Sequence, residues 1–100
     1  MSVQKVLLNS ANVRYNNAND EERVYDIEAN ANIHGNKVNG FEGGVVKKDG
    51  NVIATFTIWG NNFNPSFQQI AVKEMCSVLV AIDEFVVSVM EEVASKEIEL

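Results

Sequence analysis

The sequence has very few of the residues that build cross-links and metal sites: one Cys, one His and one Pro among 100 residues. A single thiol cannot form an internal disulfide, and one Cys with one His cannot supply the three or four protein ligands of a zinc site. The composition therefore excludes a disulfide scaffold and a zinc module. It predicts no metal and no organic cofactor.

Long apolar runs and basic charge are also scarce. The longest apolar tracts, such as 78–82, stop far short of the roughly 20 residues of a membrane span, and the N-terminus lacks the apolar region of a secretory signal. With 14 acidic and 8 basic residues the formal charge is −6, which disfavours an ordinary basic nucleic-acid binder. We therefore expect a soluble cytoplasmic protein with no membrane partner.

Strict alternation of apolar and polar residues marks the clearest strand, between Arg23 and Ile33. This period of two is typical of an antiparallel strand with one wet face. Turn signals at 35–36 and 49–50 then predict strands over 38–48 and 52–59. A first strand falls within 3–15, either continuous or bulged near Asn9. The absence of strand–helix–strand spacing excludes a parallel nucleotide-binding sheet.

The C-terminal third has the pattern of one long helix, roughly Val72 to Ser95. Asn64 followed by Pro65 is typical of a helix start, so we assign 1–64 to a β-meander and 65–97 to the helical part of a single domain, 1–100. The alternative is a short strand at 66–70 with the helix beginning near Val72. The fold class is therefore α+β: an antiparallel β-meander of four to five strands, followed by one long C-terminal helix packed on the sheet.

The apolar part of this helix is wider than one core contact needs, and it divides into two stripes. The first stripe is Met75, Val78, Ile82, Phe85, Val89 and Val93, and the second stripe is Val72, Cys76, Leu79, Val80, Val87, Met90 and Ala94. Since one sheet face buries one stripe, the second needs another cover. The sheet could curl around the helix, a second copy could dock, or a different protein could bind.

Of these alternatives we favour a homodimer formed through the helix, because two-fold association is the commonest way to bury such a surface. The predicted interface residues are Val72, Cys76, Leu79, Val80, Asp83, Val87 and Met90. Asp83 lies in the middle of the second stripe, where it is a device that sets the register with a partner, a carboxylate of a binding site, or an exposed rim residue.

The sequence shows no cluster typical of catalysis, so we expect a non-catalytic binding or assembly module. His34 lies in a predicted turn without a neighbouring acid or nucleophile, and Cys76 on an apolar stripe is typical of a small core residue. The glycines of segment 40–44 lack the spacing of a phosphate-binding loop. They predict a bulge or a close backbone approach.

The alternative function is binding of single-stranded nucleic acid by the sheet. Its candidate contacts are Trp59, Tyr25, Arg23, Lys47 and Lys48, which offer rings for stacking and cations for phosphates. By alternation Trp59 points away from the core, although it could instead pack under the 61–65 loop. A meander followed by one long helix resembles, in architecture alone, the whirly-type single-strand binders. Acids of the same face, among them Asp26, Glu28 and Glu42, oppose this function.

Overall fold

A six-stranded antiparallel sheet and one helix make up the computed structural model, which describes residues 3–9 and 12–96. The elements are β1 (Gln4–Asn9), β2 (Asn12–Asn16), β3 (Asp26–His34), β4 (Lys37–Lys48), β5 (Asn51–Trp59), β6 (Asn62–Phe67) and α1 (Val72–Lys96). Each strand pairs with the next in sequence, which is the order of a meander. The predicted class, α+β with a C-terminal helix packed on the sheet, is confirmed.

The tight turns lie where the glycines predict them. Asp49 and Gly50 connect β4 to β5 with φ angles of 53° and 82°, the positive values that a two-residue hairpin turn of this kind requires. Gly35 and Asn36 connect β3 to β4, and Gly35 also has a positive φ. These two reversals fix the register of the central hairpins.

Segment 40–44 contains the predicted bulge. The pairing of β4 with β5 shifts between Phe41 and Gly44, and Gly43 has a φ of 61°. A Cβ built on Gly44 would lie 2.6–2.7 Å from three atoms of the Phe56 ring, so this ring lies over the glycine. On the other face, the ring of Trp59 covers Gly40 in the same way. The expected close approach is therefore made by an aromatic ring at Gly44, and by the Trp59 ring together with the Ile58 backbone oxygen at Gly40.

The core lies between the helix and one face of the sheet, which we call the inner face. Ile27, Ala29 and Ala31 of β3 are buried there, and their polar neighbours point to the opposite, outer face. The first stripe of the helix covers β3 and β4, with the Phe41 and Phe85 rings 6.5 Å apart at an angle of 58°. Two layers enclose one apolar core.

The N-terminal segment differs from the single strand expected over 3–15. It forms a hairpin of β1 and β2, in which Asn9 is the partner of Asn12. Ser10, the other half of the site where a bulge was considered, lies outside the described residues. The link and its flanking partners offer Asn and Ser but no glycine or proline, the strongest turn signals, so the sequence did not distinguish a reversal from a bulge.

The expected helix start at Pro65 is wrong, because 62–67 forms β6. Gly60 and Asn61 make a two-residue turn, and the positive φ of Gly60 reverses the chain directly after β5. Pro65 is tolerated there because β6 is an edge strand, with only one neighbour to bond. The helix begins at Val72, as in the alternative considered above. The meander thus extends beyond residue 64, and residue 97, the expected helix end, lies outside the described residues.

Candidate interaction surface

The two stripes of α1 have opposite surroundings. Five of the six residues in the first stripe are buried, and Met75 is half-buried. The second stripe is open to solvent: Val72 is 74% exposed, Val80 60%, Val87 44% and Met90 43%. The sheet therefore does not curl around the helix to cover both stripes.

All seven predicted interface residues lie on this exposed side of the helix. Cys76 is among them, so the expectation that it fills a small core position is wrong: its place on the helix turns it away from the sheet. Asp83 is exposed as well, and it lies at the centre of the second stripe. The stripe is thus apolar except for one carboxylate at its middle.

An apolar groove joins the second stripe to the sheet. It has a volume of about 250 Å³ and lies between α1 and the last hairpin, lined by Ile58, Phe63, Leu79, Ile82, Asp83 and Val86. Phe63 pairs with Ile58 across the β5–β6 ladder, so its side chain is on the inner face, beyond the cover of the helix. It remains 40% exposed. Groove and stripe together form one continuous apolar surface.

A polar cluster fastens the first turn of α1 to the sheet on the opposite side of the helix. Glu74 accepts hydrogen bonds from the Tyr25 hydroxyl at 2.5 Å and from Lys48 Nζ at 2.8 Å. Lys48 also lies 5.9 Å from the centre of the Tyr25 ring. Because Glu74 is 49 residues from Tyr25 in sequence, no local pattern could have revealed this contact.

These contacts shift the pKa values of all three groups. The hydrogen bond from Lys48, followed by that from Tyr25, lowers the pKa of Glu74, and the same ion pair raises the pKa of Lys48. Burial, and then the neighbouring Glu74 carboxylate, raises the pKa of Tyr25. Glu74 thus accepts hydrogen bonds from both Lys48 and Tyr25, so the three polar groups bind one another within the cluster.

A wider depression of about 580 Å³ lies beside this cluster, against the loop that precedes β3. Arg23 supports the loop by donating to the backbone oxygens of Ala18 and Asp20, at 3.0 Å each, and by pairing with Asp26. Asn17, buried at the base of the loop, bonds the backbone of Ile27 and Tyr25. Arg23 and Asp26 are therefore engaged in holding the loop.

The residues proposed for nucleic-acid contact are not brought together. Tyr25 and Lys48 lie on the inner face, in contact with the helix, and Arg23 belongs to the loop. Only Trp59 and Lys47 are on the outer face, and they lie near opposite ends of β4: Trp59 is paired with Gly40 near one end, and Lys47, paired with Asp26 of β3, is near the other. The structure therefore offers no joint surface formed by all five side chains.

The outer face is polar and rich in amides. Asn12, Asn32 and Asn39 form a ladder of side-chain hydrogen bonds across three strands, and Arg14 pairs with Glu28 at 3.2 Å. Trp59 lies on this face, as the alternation predicts, and is 41% exposed. These amide and charged side chains make the outer face hydrophilic, in contrast to the apolar surface beside the helix.

The residues considered for catalysis or metal binding remain dispersed. His34 is exposed at the turn between β3 and β4, and Cys76 is exposed on the helix. Within residues 3–9 and 12–96, no three His, Cys, Asp or Glu side chains cluster so as to hold a metal ion. Over the same residues, α1 is not apolar enough to cross a membrane.

Comparisons add no relationship to known proteins. No family model matches the chain, and neither the curated proteins nor the solved structures give a match. The exposed apolar surface of α1 and the adjoining groove are therefore the features from which a function has to be argued.

Proposed function

We propose that the protein is a small, non-catalytic assembly module that homodimerises through α1. The observation that carries the proposal is the exposed second stripe, continuous with the groove between the helix and β6. Contiguous apolar patches above a few hundred Å² are rare on monomers and mark interaction sites. The second stripe runs along the 25 residues of α1, about 37 Å at 1.5 Å per residue.

Burial of the second stripe between two copies removes apolar area from water and so favours association. At about 25 cal/mol per Å², each large aliphatic side chain that leaves water contributes roughly 1.5–3 kcal/mol if its burial is complete. The gain is smaller for a side chain that is already part-buried, such as Leu79, which is 36% exposed, than for Val72, which is 74% exposed. Reduced for the part already buried, such contributions from the two copies sum to on the order of 8 kcal/mol, the free energy of micromolar association, and the cost of bringing together and ordering the two copies subtracts from that sum.

A second copy suits this surface because a two-fold interface needs one self-complementary patch on each subunit. The chain as a whole is acidic, yet the stripe itself contains one charged residue, Asp83. Association through the stripe therefore brings apolar side chains together and keeps most acids at the rim. Association through β6 is opposed by Pro65, which cannot donate a backbone hydrogen bond to an added strand.

The test is sedimentation velocity over a range of concentrations, with Val87→Lys as the disrupting variant. Val87 is 44% exposed in the monomer, so the substitution leaves the core intact but places a charge in the proposed interface. We expect a reversible dimer of the natural chain at micromolar concentration and a monomer for Val87→Lys. Ser95→Lys adds the same side chain on the polar arc and should still dimerise. A monomeric natural chain at high micromolar concentration would reject the proposal.

The second candidate function, binding of single-stranded nucleic acid, is supported by the position of Trp59. Its ring lies against Gly40 on the outer face with 41% of the residue exposed, as a stacking platform requires. Fluorescence polarisation with labelled single-stranded oligonucleotides at low salt tests it. Salt-sensitive binding that Trp59→Ala abolishes would support this function, and absence of binding would end it.

A further inference from the structure

The exposed residues of α1 have a spacing that is the same in both directions along the helix. Counted from Val72 to Ala94, Asp83 and all of the second stripe except Val80 occupy positions 72, 76, 79, 83, 87, 90 and 94. The intervals are four, three and four on each side of Asp83. Val80 alone stands outside this series, beside Leu79.

Such a series maps onto itself when a second helix runs antiparallel with Asp83 near the two-fold axis. Each residue of the series then faces another member of the series, and Asp83, which faces its own copy, is the one charged residue in the seam. The facing pairs are Val72 with Ala94, Cys76 with Met90, and Leu79 with Val87. Interdigitation of side chains at such intervals is how helices pack closely.

The charges beside the stripe decide between the two directions. At 100° per residue, Lys73, Glu84 and Glu91 follow one border of the stripe, and all three are exposed. In a parallel pair, this border would face the opposite border of the second helix, which holds Leu79 and Val86, so the three charges would meet no opposite charge. An antiparallel pair centred near residue 83 brings the same border of both copies together: Glu84 lies near its own copy, but Lys73 lies close to Glu91 of the second copy, twice by symmetry. It also opposes the two helix dipoles, which is favourable.

We infer that two copies pair through antiparallel α1 helices crossing at Asp83, with Cys76 of one copy facing Met90 of the other and Lys73 facing Glu91. This inference rests on the proposed function, since it specifies the arrangement of that dimer. The occupant of the exposed surface is the second stripe of another copy, and the groove at Leu79 and Phe63 borders the seam on the side of the sheet.

Cysteine cross-linking distinguishes the arrangements because Cys76 is the only cysteine. In the antiparallel pair the two Cys76 residues are about 14 residues apart along the axis, roughly 21 Å, beyond the reach of a disulfide. Under mild oxidation the natural chain should give no covalent dimer. Met90→Cys should give one, through Cys76 of each copy bonded to the new cysteine of the other.

The matched control is Met90→Cys in a Cys76→Ser background, which should not cross-link. Cross-linking of the natural chain and of this control would show parallel helices and overturn the inference. A dimer in sedimentation that no variant cross-links would overturn the arrangement while leaving the proposed function intact. A natural chain that is monomeric throughout would instead reject the proposed function.

Charge reversal provides an independent readout that does not need oxidation. Lys73→Glu and Glu91→Lys should each raise the dimer dissociation constant by about tenfold, because each places two like-charged pairs across the interface. The combined Lys73→Glu and Glu91→Lys variant should return to within about threefold of the natural value. Failure of the combined variant to recover, with both single variants weakened, would overturn the pairing of Lys73 with Glu91.

Discussion

At the scale of single residues, two glycines of β4 are required by close neighbours in β5: an aromatic ring lies over each, and the Ile58 backbone oxygen also lies against Gly40. Gly44 faces Phe56 on the inner side, and Gly40 faces Trp59 on the outer side. Neither glycine has a positive φ, so the need is for space and not for backbone freedom. An aromatic side chain placed over a glycine in the neighbouring strand covers backbone that would otherwise be exposed.

We predict that Gly44→Ala lowers the free energy of unfolding by about 1–3 kcal/mol, the usual cost of overfilling a packed core. The added methyl would lie 2.6 Å from the Phe56 ring, which is buried and has little room to move. Urea denaturation followed by circular dichroism measures the change.

Combination with Phe56→Leu provides the control for this prediction, because the smaller side chain leaves space for the methyl. The two substitutions should therefore cost less together than the sum of their separate effects. Additive effects would show that the contact between Gly44 and Phe56 is not the cause.

The ion pair of Glu74 with Lys48 gives stability a defined dependence on pH. The lowered pKa of Glu74 means that its contribution is present above about 4.5, the usual value, and is lost as the pH falls through the lowered pKa. The raised pKa of Lys48 acts at the other end: its contribution is present below about 10.5 and is lost as the pH rises through the raised pKa.

Glu74→Gln should therefore be less stable than the natural chain in the neutral range, and the two should converge in acid. The substitution keeps an acceptor for Tyr25 but removes the charge that Lys48 binds. Thermal unfolding at a series of pH values measures the difference. Glu84→Gln, on the same helix without such a contact, serves as the control. A difference that does not change between pH 3 and pH 7 would contradict the prediction.

At the scale of elements, the two sides of α1 should respond differently to the loss of side chains. Phe85 is fully buried against Phe41, so Phe85→Ala should lower the free energy of unfolding by about 3–5 kcal/mol. Val80→Ala, on the exposed side, should change it by less than about 0.5 kcal/mol at submicromolar concentration. Chemical denaturation of the two variants tests this contrast, and equal costs would contradict it.

Most elements were predictable from local patterns. Alternation identified β3, the Asp49–Gly50 turn identified β4 and β5, and the 3.6-residue period identified both stripes of the helix. The signal missed was Gly60–Asn61, itself a two-residue hairpin turn, because Asn64 and Pro65 beyond it compete as a helix start. In the structure, the pairing of β6 with β5 outweighs this local preference.

At the scale of the whole molecule, Asp83 should limit the strength of the proposed dimer. Two copies of this carboxylate meet near the axis, and like charges that approach across an interface repel. Asp83→Asn should therefore tighten dimerisation by several fold, with a melting temperature that rises more steeply with protein concentration. Scanning calorimetry at several concentrations measures this. Asp49→Asn, in a distant turn, is the control, and weaker association of Asp83→Asn would contradict the prediction.

The candidate surface was only partly predictable. The second stripe follows from the sequence of α1 alone, because helical geometry fixes which residues share a side. The groove does not, because it depends on β6 bringing Phe63 beside Leu79. The placement of Tyr25 and Trp59 on opposite faces of the sheet was not predictable either. No local pattern showed that the Tyr25 hydroxyl would donate to Glu74 of the helix, 49 residues further along the chain.

The strictly sequential order of the strands has a consequence for how the chain folds. Every strand pairs with its neighbour in sequence, so each hairpin closes a short loop at small entropic cost. The hairpin of β4 and β5, closed by a turn with two positive φ angles, needs no other element to begin pairing. The helix, by contrast, contacts strands far back along the chain, and its docking on β3 and β4 completes the core.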